Sequence, residues 1–127
     1  IRTLINYTKH SAYTRHERLV ICGSLDANTC SDTGWGEYLI VFKDNKNKNR
    51  TREINEEIVQ QVHLNLKYGQ LHWEGATGRP PVFHPDSGLP RGGNGTFKYC
   101  SHVADNSFTL KLSHMGHLTL SKPYRCA

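Results

Sequence analysis

GGNGTFKYCSHVADNSFTLKLSHMGHLTLSKPYRCA, residues 92–127, holds the clearest pattern in the chain. Phe108, Leu110 and Leu112 alternate with polar neighbours, Leu118 and Leu120 do the same, and His114-Met115-Gly116 lies between the two runs. Alternation with a period of two, broken by a glycine, predicts a half-buried β-hairpin. Thr96-Phe97-Lys98-Tyr99-Cys100 reads as the strand before it, and Cys126 stands one residue from the end. A Cys100–Cys126 disulfide would tie the tail back to this sheet.

Working outward, the other two cysteines, Cys22 and Cys30, form a second local pair. No pair has the CxxC spacing of a zinc or thioredoxin-like site. Two disulfides in an oxidising compartment, periplasmic or extracellular, are expected, with four buried thiols as the alternative. At 127 residues, 36% hydrophobic and 21% charged, the chain is predicted to be one domain with a single core. Its net charge of +5 leaves an acidic partner open without requiring one.

Residues 1–18 place Ile1, Leu4, Ile5, Thr8 and Ala12 at three- and four-residue steps, which predicts an amphipathic helix. It begins in mid-pattern with no N-cap residue, as a helix continuing from upstream would. Leu19-Val20-Ile21-Cys22 reads as a first strand, followed by a loop to Gly36. Glu37-Tyr38-Leu39-Ile40-Val41-Phe42 is a near-continuous apolar run, predicted as a central strand covered on both faces. The loop after it carries Lys46, Lys48, Arg50 and Arg52 at alternate positions. Such a stripe can face phosphate, but acidic neighbours favour a solvated loop. A strand is predicted from Ile58 to Tyr68, another over residues 70–74, and a glycine-rich flexible connection over 88–95. The outline is α+β: residues 1–18 as a helix, residues 19–127 as six to eight short antiparallel strands beneath it.

Eight histidines invite a search for metal or acid–base chemistry. His114 and His117 straddle a predicted turn, and His63 and His72 could face each other across neighbouring strands. Neither pair has the four close ligands of a structural zinc site, so surface histidines and no cofactor are expected. The residue types of a small secreted nuclease are present, but nothing in the sequence places them together. Lys98, Lys111, Lys122 and Arg125, with His117, make the last third basic, of the kind that holds a phosphate backbone weakly.

The order of these pieces carries a resemblance. A helix runs into Leu19-Val20-Ile21-Cys22, and Trp35-Gly36-Glu37-Tyr38-Leu39-Ile40-Val41-Phe42-Lys43-Asp44 follows. Then come Phe83-His84-Pro85-Asp86-Ser87-Gly88, Asn94-Gly95-Thr96-Phe97-Lys98-Tyr99-Cys100, and an alternating strand turning at Gly116. The chain resembles the soluble domain of the FimT/GspH family, the minor pilins of type IV pili and minor pseudopilins of type II secretion. The resemblance implies a pilin-like fold and no catalytic activity or cofactor. It implies an apolar helix ahead of Ile1 that anchors the protein in the inner membrane, with the domain in the periplasm before it enters the filament. Other minor and major pilins or pseudopilins would be its partners, with Ile1, Leu4, Ile5, Thr8 and Ala12 marking the subunit-packing helix.

Some relatives are DNA-binding minor pilins of natural transformation, using a glycine-arginine-x-arginine motif on the last hairpin. The matching positions here are Gly116-His117-Leu118-Thr119, without either arginine. A neutral imidazole and a threonine do not replace two guanidinium charges. DNA uptake through Lys111, His117, Lys122 and Arg125 is therefore the alternative to a role in assembly.

Overall fold

The computed structural model describes residues 2–31, 33–44, 56–64, 66, 69–75, 79–90, 92–102 and 107–122. Expectations for Ile1, for the loop bearing Lys46, Lys48, Arg50 and Arg52, for Tyr68, and for Arg125 and Cys126 lie outside these residues.

Among the described residues, one helix and eight strands follow in order: α1 (Arg2–Arg15), β1 (Leu19–Ser24), β2 (Tyr38–Lys43), β3 (Ile58–His63), β4 (Gly69–Gly75), β5 (Val82–Phe83), β6 (Gly95–Ser101), β7 (Phe108–Leu112) and β8 (Leu118–Ser121). They build two four-stranded sheets, β3-β2-β1-β5 and β4-β6-β7-β8, with antiparallel pairing throughout the ladders. This is the α+β arrangement that the patterning predicts.

The helix stops short of the expected Arg18 because His16 takes the left-handed conformation, φ 55°. Glu17 N then donates to Ala12 O at 3.1 Å, the six-to-one bond of a Schellman cap. The chain reverses at once into β1, so α1 and the first strand form a tight αβ hairpin. Leu4, Ile5 and Ala12 meet Leu19, Ile21, Leu39 and Val41 of the first sheet and Phe97, Leu110 and Leu112 of the second in one core.

The apolar run of β2 divides by parity. Leu39 and Val41 point into this main core, while Ile40 and Phe42 join Val20, Cys22 and Val82 in a second cluster on the other face of the sheet. Both faces are covered, which is why the run does not alternate. The Cys22–Cys30 disulfide forms as expected, with the Cα atoms 5.6 Å apart, and Cys30 packs onto this second cluster.

Three expectations need correcting. The strand predicted to reach Tyr68 ends at His63. Beyond it Leu64 N donates to Glu37 O at 2.8 Å and Leu66 N to Gly36 O at 3.4 Å, as the chain leaves the first sheet for the second. His63 and His72 do not face one another, because β3 and β4 belong to different sheets. The glycine-rich connection is packed rather than slack. Gly88 has φ +72°, and a Cβ there would sit 2.4 Å from Lys9 O, so the close approach of the loop to α1 requires glycine.

Candidate interaction surfaces

The helix presents two different faces. Ile5, Thr8 and Ala12 are at most 1% exposed, with Leu4 at 8%, and Thr8 Oγ1 donates to Leu4 O at 2.7 Å within the helix. Of the residues expected to mark the subunit-packing helix, Leu4, Ile5, Thr8 and Ala12 are thus buried against the chain's own sheets; Ile1 lies outside the described residues. Thr3, Asn6, Tyr7, His10, Tyr13 and Thr14 form the outward stripe, and all six are exposed. None carries a formal charge, in a chain where 21% of residues do. Lys9 borders the stripe but turns away from it, donating through Nζ to Gly116 O at 3.3 Å.

Beside the stripe lies a groove of about 250 Å³ between the helix and residues 87–89, lined by Asn6, Lys9, His10, Tyr13, Ser87 and Leu89. A larger cleft of about 510 Å³ opens between β4 and residues 33–37, with Glu37, Leu66, His72 and His102 on its walls. His63 stacks on Tyr38 with ring centroids 4.4 Å apart, its Nε2 3.7 Å from Glu37 Oε2. Among the described residues no three His, Cys, Asp or Glu side chains gather in a group that could hold a metal ion.

At the C-terminal end of the helix, charges interlock instead. Arg18 Nε lies 3.2 Å from Oδ2 of the fully buried Asp44. Lys43 Nζ bridges Glu17 at 3.0 Å and Glu57 at 2.8 Å. The hydrogen bond to Glu57, then that to Glu17, raises the Lys43 pKa above its ordinary value. The same Lys43 contact holds the Glu57 carboxyl below its ordinary range. These pairs lock the αβ hairpin to the β2–β3 end of the first sheet.

The terminal hairpin forms as predicted, and its register sets Lys111 opposite Thr119 and Leu112 opposite Leu118. Its turn closes through Gly116 N to Ser113 O at 3.0 Å and Ser113 N to His117 O at 3.0 Å. Among the described residues, the candidate nucleic-acid contacts Lys111, His117 and Lys122 do not converge. Lys111 lies on the outer face with Thr119, while β8 separates His117 at one end from Lys122 at the other. At roughly 3.3 Å per residue that separation is about 16 Å. All three are exposed. Nearby Lys98 is paired with Glu74 on the same outer face. Cys100 is disulfide-bonded; its expected partner, Cys126, lies outside the described residues.

The outward helix stripe is the exposed helix face that the resemblance implies would contact neighbouring subunits. Its signal was available, because the same three- and four-residue spacing that marks the inward face leaves Thr3, Asn6, His10 and Tyr13 on the other side. The use of Lys9 by Gly116 had no such signal, since it joins residues 107 positions apart.

A family model described as type II transport protein GspH matches residues 1–116. No curated protein matches the sequence. Among solved structures, the type IV minor pilin FimU of Pseudomonas aeruginosa strain PAO1, in space group P21, is similar with TM-score 0.64 and 15% identity over 99% of this chain and 89% of that one. The same protein in space group P65 gives TM-score 0.61 and 14% identity, covering 99% and 94% of the two chains. At such identities the likeness is one of fold.

Proposed function

The chain belongs to the GspH family of type II transport proteins, and from that premise we propose that it is a minor pilin or pseudopilin subunit contributing to assembly or priming of a type IV pilus or type II secretion pseudopilus. The observation that carries this reading is the extent of the family match, which takes in the helix and seven of the eight strands. The role is structural: the subunit acts by packing against others.

In this reading the full-length protein has an apolar helix ahead of Ile1, which anchors it in the inner membrane before it enters the filament. Among the described residues no helix is long and apolar enough to cross a membrane, so the anchor would lie upstream. The Cys22–Cys30 disulfide fits a periplasmic domain. Other minor and major pilins or pseudopilins are the partners. DNA capture is the lesser reading, because His117 and Thr119 occupy the positions where DNA-binding relatives carry arginine.

Deletion of the gene in the native host tests the proposal. Surface piliation or type II secretion should fall and return with a plasmid-borne copy. If both survive the deletion unchanged, the proposal is wrong.

A further inference from the structure

The larger cleft, about 510 Å³ between β4 and residues 33–37, combines an apolar side with a fixed charge. Its volume falls in the range of sites that enclose a ligand, about 300–1,000 Å³. The apolar side is made by Leu71, 4% exposed, and Leu66, which packs on the main core. Gly36 leaves the space open: a Cβ there would meet only ordinary contacts, Leu66 Cδ1 and Leu71 N at 3.8 Å each. Among the described residues that line the cleft, Glu37 alone carries a formal charge, with histidine counted as neutral.

That carboxylate is half exposed and held in position by its neighbours. Glu37 O accepts from Leu64 N at 2.8 Å, Tyr38 stacks on His63, and His63 Nε2 lies 3.7 Å from Glu37 Oε2. On the wall of a cleft in a chain of net charge +5, it attracts an ammonium or guanidinium group and repels carboxylate and phosphate. Lysine and arginine lay an alkyl stem on apolar surface while the charged head stays in water, which matches two leucines beside a half-exposed carboxylate. β4 adds a third feature. It is the edge of its sheet, so among the described residues alternate main-chain N–H and C=O groups along it have no strand to pair with. These groups, with the exposed amide of Gln70, suit the main chain of a peptide.

We infer that this cleft is a binding site for a peptide segment of a partner protein that bears lysine or arginine. The alkyl stem lies over Leu66 and Leu71, the cationic head meets Glu37, and the main chain of the segment bonds to β4 and Gln70. A small amine has the head and the stem but no main chain, and an acidic or phosphorylated segment brings the wrong charge. The site is separate from the assembly role and holds whichever filament the subunit enters.

Titration of the isotope-labelled chain with blocked peptides, read by amide chemical shifts, tests it. Acetylated and amidated Ala-Ala-Arg-Ala-Ala should shift the amides of Gly36, Glu37 and Gly69 to His72, and its affinity should fall with added salt. Methionine in place of the arginine keeps the stem and loses the charge, so that peptide should bind about fivefold more weakly. With glutamate there, those amides should not shift. Agmatine, a guanidinium on an alkyl stem, should bind about tenfold more weakly than the arginine peptide. Glu37→Gln should erase the preference for arginine over methionine. Gly36 is not among the left-handed glycines, so Gly36→Leu fills the cleft without backbone strain and should lower affinity for the arginine peptide about tenfold. Both variants should keep the wild-type melting temperature. No shift at these residues with about 10 mM arginine peptide overturns the inference. So does an arginine preference that is absent in the wild type or survives Glu37→Gln, or full affinity in folded Gly36→Leu. Agmatine binding as tightly as the peptide overturns it too, since the cleft would then be a site for small amines.

Discussion

Lys9 on the helix and Gly116 in the terminal turn are joined by a hydrogen bond of 3.3 Å from the ammonium to the main-chain oxygen. Gly116 has φ +79°, and a Cβ there would lie 2.6 Å from Lys9 Cδ. The last hairpin is therefore seated on the helix, and its seat has no room for a side chain in the present position of Lys9. Gly116→Ala should destabilise the domain by about 1–2 kcal/mol, mainly from the left-handed backbone. Lys9→Met keeps the aliphatic stem and loses one hydrogen bond, so it should cost about 0.5–1.5 kcal/mol. Urea titration of the two purified variants checks the order, and a larger loss for Lys9→Met would contradict it.

Leu112 and Leu120 share a face of the hairpin but not an environment. Leu112 is fully buried and Leu120 is 45% exposed. Leu112→Ala should cost about 2–5 kcal/mol, whereas Leu120→Ala should stay within about 0.5 kcal/mol. Thermal melts of the two variants make the comparison directly.

That contrast marks what can be read from a linear pattern. Parity assigns Leu120 to the inner face correctly, but burial also depends on what stands over it, and β8 is the edge of its sheet. Seven of the eight strands among the described residues were legible because each is short, alternating or β-branched and set off by turn residues; the two-residue β5, Val82–Phe83, was not. The helix end was not, because His16 rather than a glycine takes the left-handed cap. Nor was the packing of the glycine-rich loop, which depends on Gly88 meeting Lys9 O, a contact made only by the assembled fold. At the candidate surfaces, the spacing of Leu4, Ile5, Thr8 and Ala12 correctly picks out one helix face. It does not say whether that face meets the chain's own sheets or another subunit, and the core settles it in favour of the sheets.

The loop closed by Cys22 and Cys30 is held a second way. Asp26 accepts from Asn28 N at 2.8 Å, Thr29 N at 2.9 Å and Ser24 Oγ at 3.0 Å. These bonds, the Thr29 amide first, lower its pKa from 3.8 to about 2. Because the folded value is the lower one, the unfolded loop binds the proton more readily. The stabilisation is thus complete above pH 4 and drains away as the pH falls from about 4 to about 2. Amide hydrogen exchange at Asn28 and Thr29 should accelerate over that window relative to the intrinsic rate, and Asp26→Ala should abolish the pH dependence. Flat protection from pH 5 to pH 2 would count against it.

Opening the disulfide itself by a paired Cys22→Ser and Cys30→Ser change should cost about 2.5 kcal/mol by the entropy of so short a loop. The loss should exceed that figure, since Cys22 is 1% exposed among apolar neighbours and a buried hydroxyl there needs a new partner. Denaturant unfolding of the double variant against wild type reads both contributions. A loss well below 2 kcal/mol would mean that the unfolded chain is already compact around this loop.

The register of the last hairpin also makes its DNA binding testable by gain of function. Thr119 stands directly opposite Lys111 on the outer face, and His117 is exposed at the turn beside the docked Gly116. Arginine at both positions would add two fixed charges on an already formed hairpin, one of them next to Lys111. Each new phosphate contact releases about 0.9 counterion. His117→Arg with Thr119→Arg should therefore strengthen duplex DNA binding at low salt and steepen the slope of log affinity against log salt by about 2. The wild-type chain should bind weakly, with a shallow slope. Neither variant charge touches the core, so the melting temperature should hold. If the double variant folds and gains no affinity, the hairpin is not the DNA-facing surface in this chain, whatever its charge.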